Sequence, residues 1–169
     1  MNIEHVIAIC TTVIAMSSMA VAIWQGSLSR RHNKLSVKPY ISILWDITPG
    51  NNVKVYMKNY GVGPAFIRSV RFKSGDKEFC SSSAKELKSF FDHIGLETTI
   101  PHILQFFDCF SAMSPSEETS VLEFTDSNNS SEKRLKVISK LRGVELLVEY
   151  SSTYEEVFIS QRVMFATKA

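Results

Sequence analysis

From Val6 to Trp24 the chain runs nineteen residues, VIAICTTVIAMSSMAVAIW, without one charged side chain. At about 1.5 Å rise per residue such a helix measures roughly 28 Å, close to the roughly 30 Å hydrocarbon thickness of a bilayer. The segment predicts a single membrane-spanning anchor over residues 1–28. The rest of the chain then reads as a domain attached to that anchor.

A cleaved signal peptide is the main competitor, because Ala20-Val21-Ala22 resembles a small-x-small cleavage site. Signal peptides begin with positive charge, however, and Met1 to His5 carries Glu4 with neither Lys nor Arg. Positive charge follows the segment instead, in Arg30, Arg31, Lys34 and Lys38, within a basic juxtamembrane linker over residues 29–38. The positive-inside rule places that flank in the cytoplasm, so the expected topology is N-terminus outside and C-terminal domain cytosolic, in an inner membrane. The same four residues can also hold anionic headgroups. Three cysteines, Cys10, Cys80 and Cys109, are too few and too scattered for a disulfide framework, which fits a reducing compartment.

Within the anchor, Thr11, Ala15, Ser18, Ala22 and Gly26 recur at spacings of four, three, four and four, a stripe of small residues on one helix face. Such stripes let two helices approach closely in lipid, so this face is a candidate for self-association. A helix this rich in small residues also produces some stripe by chance.

Residues 39–169 suit one domain with a substantial core. Ile41, Ile43, Trp45 and Ile47 alternate on one face of a strand, and Val53, Val55 and Met57 alternate against Lys54, Tyr56 and Lys58 on the next. Pro49-Gly50-Asn51-Asn52 between them is turn chemistry, giving a hairpin. A third strand follows from Ala65 to Phe72. Ser83-Ala84-Lys85-Glu86 then forms a capping box ahead of Leu87, Phe90, Phe91 and Ile94, with Gly95 to close a helix. A second helix is expected from Pro101, carrying Ile103, Leu104, Phe106, Phe107 and Phe110, so that about 83–112 is a helical hairpin insertion. Strand returns at Val121 to Thr125, a short helix is expected over Glu132 to Arg142, and Val144 to Tyr150 pairs with Glu156 to Phe165 in a last hairpin. The fold class is mainly β with α insertions: one transmembrane helix, then an antiparallel β-sandwich.

The order of anchor, Arg31-His32-Asn33-Lys34-Leu35-Ser36-Val37-Lys38-Pro39, Asn59-Tyr60-Gly61-Val62-Gly63-Pro64-Ala65 and Glu149-Tyr150-Ser151-Ser152-Thr153-Tyr154 resembles small uncharacterised bacterial single-pass membrane proteins with a cytosolic immunoglobulin-like β-sandwich. That resemblance implies fold and topology and brings no activity. The helical insertion lies outside it.

No chemistry is spelled out. Gly61-Val62-Gly63-Pro64 lacks the Gly-Lys-Ser/Thr ending of a phosphate loop and reads as a strand connection whose glycines permit positive φ. Cys80, His93, His102 and Cys109 are the candidate soft metal ligands, but no two have the close spacing that zinc sites use. There is no G-x-S-x-G elbow, and the paired carboxylates Glu117-Glu118 and Glu155-Glu156 sit in expected loops. No catalytic, cofactor or metal residue is assigned, no cofactor is expected, and the chain is not expected to be an enzyme.

Two surfaces are candidates for contact. Phe91, Phe106, Phe107 and Phe110 concentrate aromatic surface in the insertion, to cover the sandwich, to meet a partner or to lie on the membrane. Lys133, Arg134, Lys136, Lys140 and Arg142 make a basic run without aromatics for stacking bases, so nucleic acid is not expected. That run reads first as a solvated helix face and second as attracted to an anionic leaflet. The expected function is a membrane-anchored, non-enzymatic interaction or scaffold module, whose partners are the lipid bilayer and a protein or a second copy. The alternatives are a membrane effector whose anchors oligomerise and perturb the bilayer, or an accessory component of a bacterial defence system.

Overall fold

A computed structural model describes residues 2–48, 52–96, 102–104, 111–124 and 131–165. The chain divides into two units, residues 1–36 and 37–169.

The first unit is one helix, α1 (Ile3–Ser36), with none of its residues buried. Its best eighteen-residue window has a mean hydropathy of 2.3 and is 0 % buried, so the helix is a candidate membrane span by length and composition. It does not stop at residue 28. The polar residues 25–36 continue the same helix and add roughly 18 Å to it. Inside the apolar part, the hydroxyls of Thr11, Thr12, Ser17 and Ser18 donate back to the carbonyls of Ile7, Ala8, Val13 and Ile14 at 2.8–3.0 Å. Each polar side chain is thereby satisfied one turn away on its own helix.

In the second unit, β1 (Ile41–Asp46) pairs antiparallel with β2 (Val53–Asn59), as the alternation of Ile41, Ile43 and Trp45 predicts. β3 (Ala65–Ser74) turns at Gly75, whose φ of 60° suits glycine, into β4 (Lys77–Cys80). Next come α2 (Ala84–Ile94), β5 (His102–Leu104), β6 (Ser111–Met113), β7 (Glu118–Phe124), α3 (Ser131–Leu141), β8 (Glu145–Ser151) and β9 (Val157–Val163). The strands form two antiparallel sheets, one ordered β1-β2-β7-β5 and the other β4-β3-β8-β9, with β6 beside the first residues of β3.

Two β-bulges set which residues face inward. Opposite Val55 and Tyr56, β7 carries one extra residue, and Val121 and Leu122 are both buried in succession. In β3 the extra residue is Arg68, so burial follows Ala65 and Ile67 and then shifts phase to Val70 and Phe72. The inward residues of both sheets meet in one hydrophobic cluster, with Ile41, Ile43, Val55 and Met57 from the first and Ile67, Phe72, Leu146 and Val148 from the second.

The helices close this cluster. α2 begins and ends where the sequence places it, with Ser83 accepting from the Lys85 amide and Gly95 left-handed at φ 65°. Phe90 stacks on Phe72 at 4.7 Å, and its neighbour Phe91 meets Phe124 edge-on at 6.3 Å, so one helical turn touches both sheets. α3 buries Val137 and Leu141. Its Arg134 donates to the carbonyls of Ile47 and Thr48 at 2.7 and 2.9 Å, fixing the end of β1.

Among the described residues of the expected second helix, His102–Leu104 is strand. β5 lies beside β7 at the edge of the first sheet, and β6 pairs with β3. A short apolar run such as Ile103-Leu104 satisfies either period, and the open edge of β7 supplied backbone partners that a helix there would have left unmet.

At the other edge the sheets are tied by side chains. The Ile41 amide donates to the Tyr150 hydroxyl at 3.3 Å, and Arg162 of β9 donates to the Ile43 carbonyl at 2.7 Å with its guanidinium 4.3 Å from the Trp45 ring. Burial pushes the Tyr150 phenol up, the Ile41 amide opposing it, so it stays neutral in ordinary buffers. These ties also occupy backbone groups on an edge strand, which protects β1 from pairing with another chain. Arg162→Ala is expected to cost about 1–2 kcal/mol, from one charge-assisted hydrogen bond and one partly exposed cation–π contact, read as a lower urea midpoint with unchanged slope.

Candidate functional site

The most constrained cluster lies where the chain enters the domain. Alternation along β2 puts Val53, Val55, Met57 and Asn59 on one face, and all four are buried. An asparagine carried into a core by strand period must have every polar atom met, and Asn59 does. Its Oδ1 accepts from the amides of Gly61 at 2.9 Å and Tyr40 at 3.2 Å. Its Nδ2 faces the carbonyls of Gly63 at 2.9 Å and of Met113 and Ser114 at 3.3 Å. One side chain therefore joins the start of β1, the loop after β2 and the turn before β7.

The glycines of Gly61-Val62-Gly63 work differently from the expectation. Among the described residues the positive-φ glycines are Gly75, Gly95 and Gly143, and neither Gly61 nor Gly63 is one of them. What they permit is contact between backbones. A Cβ on Gly63 would fall on the Val37 carbonyl, and one on Gly61 would meet the backbone of Tyr40, Pro39 and Lys38. The loop is pressed onto the segment 37–40, and only hydrogen side chains fit between them. Lys38 lies 5.2 Å over the Phe158 ring, so this member of the expected membrane-surface set is also seated on the domain.

The other expected residues fall in three groups. Thr11, Ala15, Ser18, Ala22 and Gly26 are exposed on α1, and nothing lies within 4 Å of where a Gly26 Cβ would be. Depressions lie along this helix, one lined by Ser17, Ser18, Val21, Ala22 and Gln25 and another by Ile23, Gly26, Ser27 and Arg30. Arg30, Arg31 and Lys34 are exposed on its last turns. Phe91 is buried at 2 % exposure, which corrects its assignment as a partner contact: it belongs to the seam between the sheets. Phe106, Phe107, Phe110 and Cys109 lie outside the described residues, as does the His102 side chain.

Among the described residues, no group of three or more His, Cys, Asp or Glu is arranged to hold a metal ion. His93 packs its ring 5.4 Å from Phe79. The Cys80 sulfur accepts from the Ser82 hydroxyl at 3.2 Å, and its amide donates to Glu86 at 2.8 Å. On the outward faces of the sheets, charges meet their opposites: Lys54 and Lys58 reach Glu118 at 3.1 and 3.9 Å, and Arg71 lies between Glu78 at 3.2 Å and Glu149 at 3.5 Å. Partial burial, then the Glu118 carboxylate, pushes the phenol of Tyr56 up on that same face.

Sequence reasoning passed over Asn59 and Arg162. The first was legible, since a period of two from Val53 leads straight to it. The second was not, because Arg162 and Ile43 are 119 residues apart.

The fold and these residues define a protein class: one exposed apolar helix at the N-terminus followed by a two-sheet antiparallel β domain with two further helices. Residues 3–165 match the family described as domain of unknown function (DUF8453), and the chain belongs to that family. No curated protein matches it.

Proposed function

We propose that this chain is a single-pass membrane protein whose β domain, an immunoglobulin-like sandwich, stands in the cytosol as a non-enzymatic interaction or scaffold module. The observation that carries the reading is α1. Its apolar window is entirely unburied, a surface that would be costly in water, and a bilayer is the cover its length fits. The family match begins at the first residue of the helix and ends at Phe165, which supports treating helix and domain as one working unit rather than a leader and its cargo. Arg30, Arg31 and Lys34, exposed just beyond the apolar stretch, support the orientation. A bacterial inner membrane is supported by the residue resemblance and this basic flank. The conspicuous side chains of the domain, Asn59, Arg134, Arg162 and Phe90, are committed to holding the fold, which favours surface contact as the mode of action.

The test is topology. The full chain is expected to resist carbonate extraction from membranes. In right-side-out vesicles, protease added outside should leave the β domain intact until the bilayer is opened. Release by carbonate, or cleavage of the domain in sealed vesicles, would overturn the anchor or its orientation respectively.

A further inference from the structure

Beyond its apolar stretch α1 continues as QGSLSRRHNKLS over residues 25–36, and Leu28 and Leu35 are the two aliphatic side chains in that polar stalk. Successive residues of a helix advance by about 100°, so a spacing of seven brings the two leucines within about 20° of one another. Trp24, four residues before Leu28, lies on the same side, and Arg31 falls between the leucines. All four fit a sector of about 60°. Trp24, Leu28 and Leu35 are 66, 54 and 60 % exposed, and the other side of the stalk carries Gly26, Ser29 and Asn33, exposed as well. The apolar boundary of α1 is therefore slanted: on one side it stops before Gln25, and on the other it runs on to Leu35.

A helix standing upright in a bilayer gains nothing from that slant. Leu35 would stand about 16 Å beyond Trp24, clear of a headgroup layer roughly 5–8 Å deep, and its side chain would be left in water. The length of α1 points the same way. Its 34 residues measure about 51 Å against roughly 40–45 Å for a whole bilayer. A tilt of about 30°, inside the range of roughly 0–40° for spanning helices, removes the excess. A helix leaning on its slanted side brings both leucines down to the acyl boundary, with Trp24 at the membrane–water interface where indole rings concentrate. Arg31 decides what covers this side. In a seam between two copies, two Arg31 guanidiniums would face each other across the apolar contact. In a headgroup layer each guanidinium lies among phosphates while its stem covers the leucines.

We propose that α1 crosses the bilayer obliquely and that residues 25–36 rest in the headgroup layer on the side carrying Leu28, Arg31 and Leu35. The stalk is then a lipid-binding segment, taking phospholipid phosphate at Arg31 and acyl chain at the leucines. The inference rests on the reading of α1 as a membrane anchor.

The test uses the full chain in nanodiscs loaded with one copy each, with single substitutions Leu28→Cys, Ser29→Cys, Asn33→Cys and Leu35→Cys. A membrane-impermeant maleimide is added and its attachment is followed peptide by peptide, which separates each site from the native cysteines. Each rate is divided by that of the same variant unfolded in denaturant. Positions 28 and 29 stand at nearly one height on the helix, as do 33 and 35, so each pair compares sides. Labelling is expected to be roughly tenfold slower at 28 than at 29, and at 35 than at 33. Equal rates within each pair overturn the proposal. So does protection that appears only when several copies share a disc, because that assigns the side to a second copy. Disc co-purification reads the anchor separately: a chain that does not co-purify refutes the anchor and the proposal with it, whereas one that co-purifies and labels equally on both sides refutes the stalk contact alone.

Discussion

Gly63→Ala is expected to destabilise the β domain by about 3–5 kcal/mol, a cost reserved for changes that force backbone to move. The methyl would fall on the Val37 carbonyl, part of a main chain with no rotamer to yield. Relief requires the segment 37–40 to lift. That strips the Tyr40 amide from Asn59 and the Tyr40 carbonyl from the Tyr60 amide, now 2.7 Å apart. Two readouts follow from full-length chain in detergent: a large fall in the urea midpoint, and faster chymotrypsin cleavage after Tyr40. Gly75→Ala is the control. It sits at φ 60° with open space around it, so it carries only the left-handed strain of about 1 kcal/mol. If the two alanine variants were equally stable, the close approach at Gly63 would not exist.

The second large effect is Asn59→Asp, an isosteric change that reverses the role of one arm. The amides of Tyr40 and Gly61 still find an acceptor, but an oxygen now faces the carbonyls of Gly63, Met113 and Ser114. At neutral pH an unpaired charge in that position is expected to cost about 4 kcal/mol. The two amides favour the charged carboxylate, while full burial and three carbonyls oppose it, so the introduced group has a folded-state pKa above its ordinary value near 3.9. The sign of the pH dependence follows. The deficit relative to the parent is smallest below the unfolded pKa, where the carboxyl is protonated and can donate, and it grows as pH rises through the folded pKa. Asn59→Ala, which has no proton to lose, should show a deficit that does not change with pH. Urea midpoints from about pH 3 to pH 8 separate the two, and parallel curves would contradict the hydrogen-bond assignment.

The fold was legible in the sequence where a single local period decided it. β1 and β2 alternate strictly enough that Ile41, Ile43, Val53, Val55 and Met57 could be named as inward, and α2 announced both ends through Ser83 and Gly95. It was not legible where a distant edge made the choice. Ile103-Leu104 became a strand because β7 lay open beside it. Bulges are similarly silent, since an extra residue at Arg68 or Val121 is defined by the partner strand and not by the strand that contains it. Gly61 and Gly63 were recognised as special for the wrong physical reason: a glycine needed for φ and one needed for contact look alike in sequence. For Phe91 the sequence left covering the sandwich and meeting a partner both open, because helical spacing gives the width of an apolar face but not how many surfaces will cover it, and its burial selects the first.

The back-bonded hydroxyls of α1 bear on how the chain would behave at different abundances. Thr11, Thr12, Ser17 and Ser18 spend their donors on their own carbonyls, so pairing through the small-residue face would rest on shape alone. Assembly would then follow mass action within the plane of the membrane, with the fraction paired tracking how many copies share a given area and dispersing as they dilute.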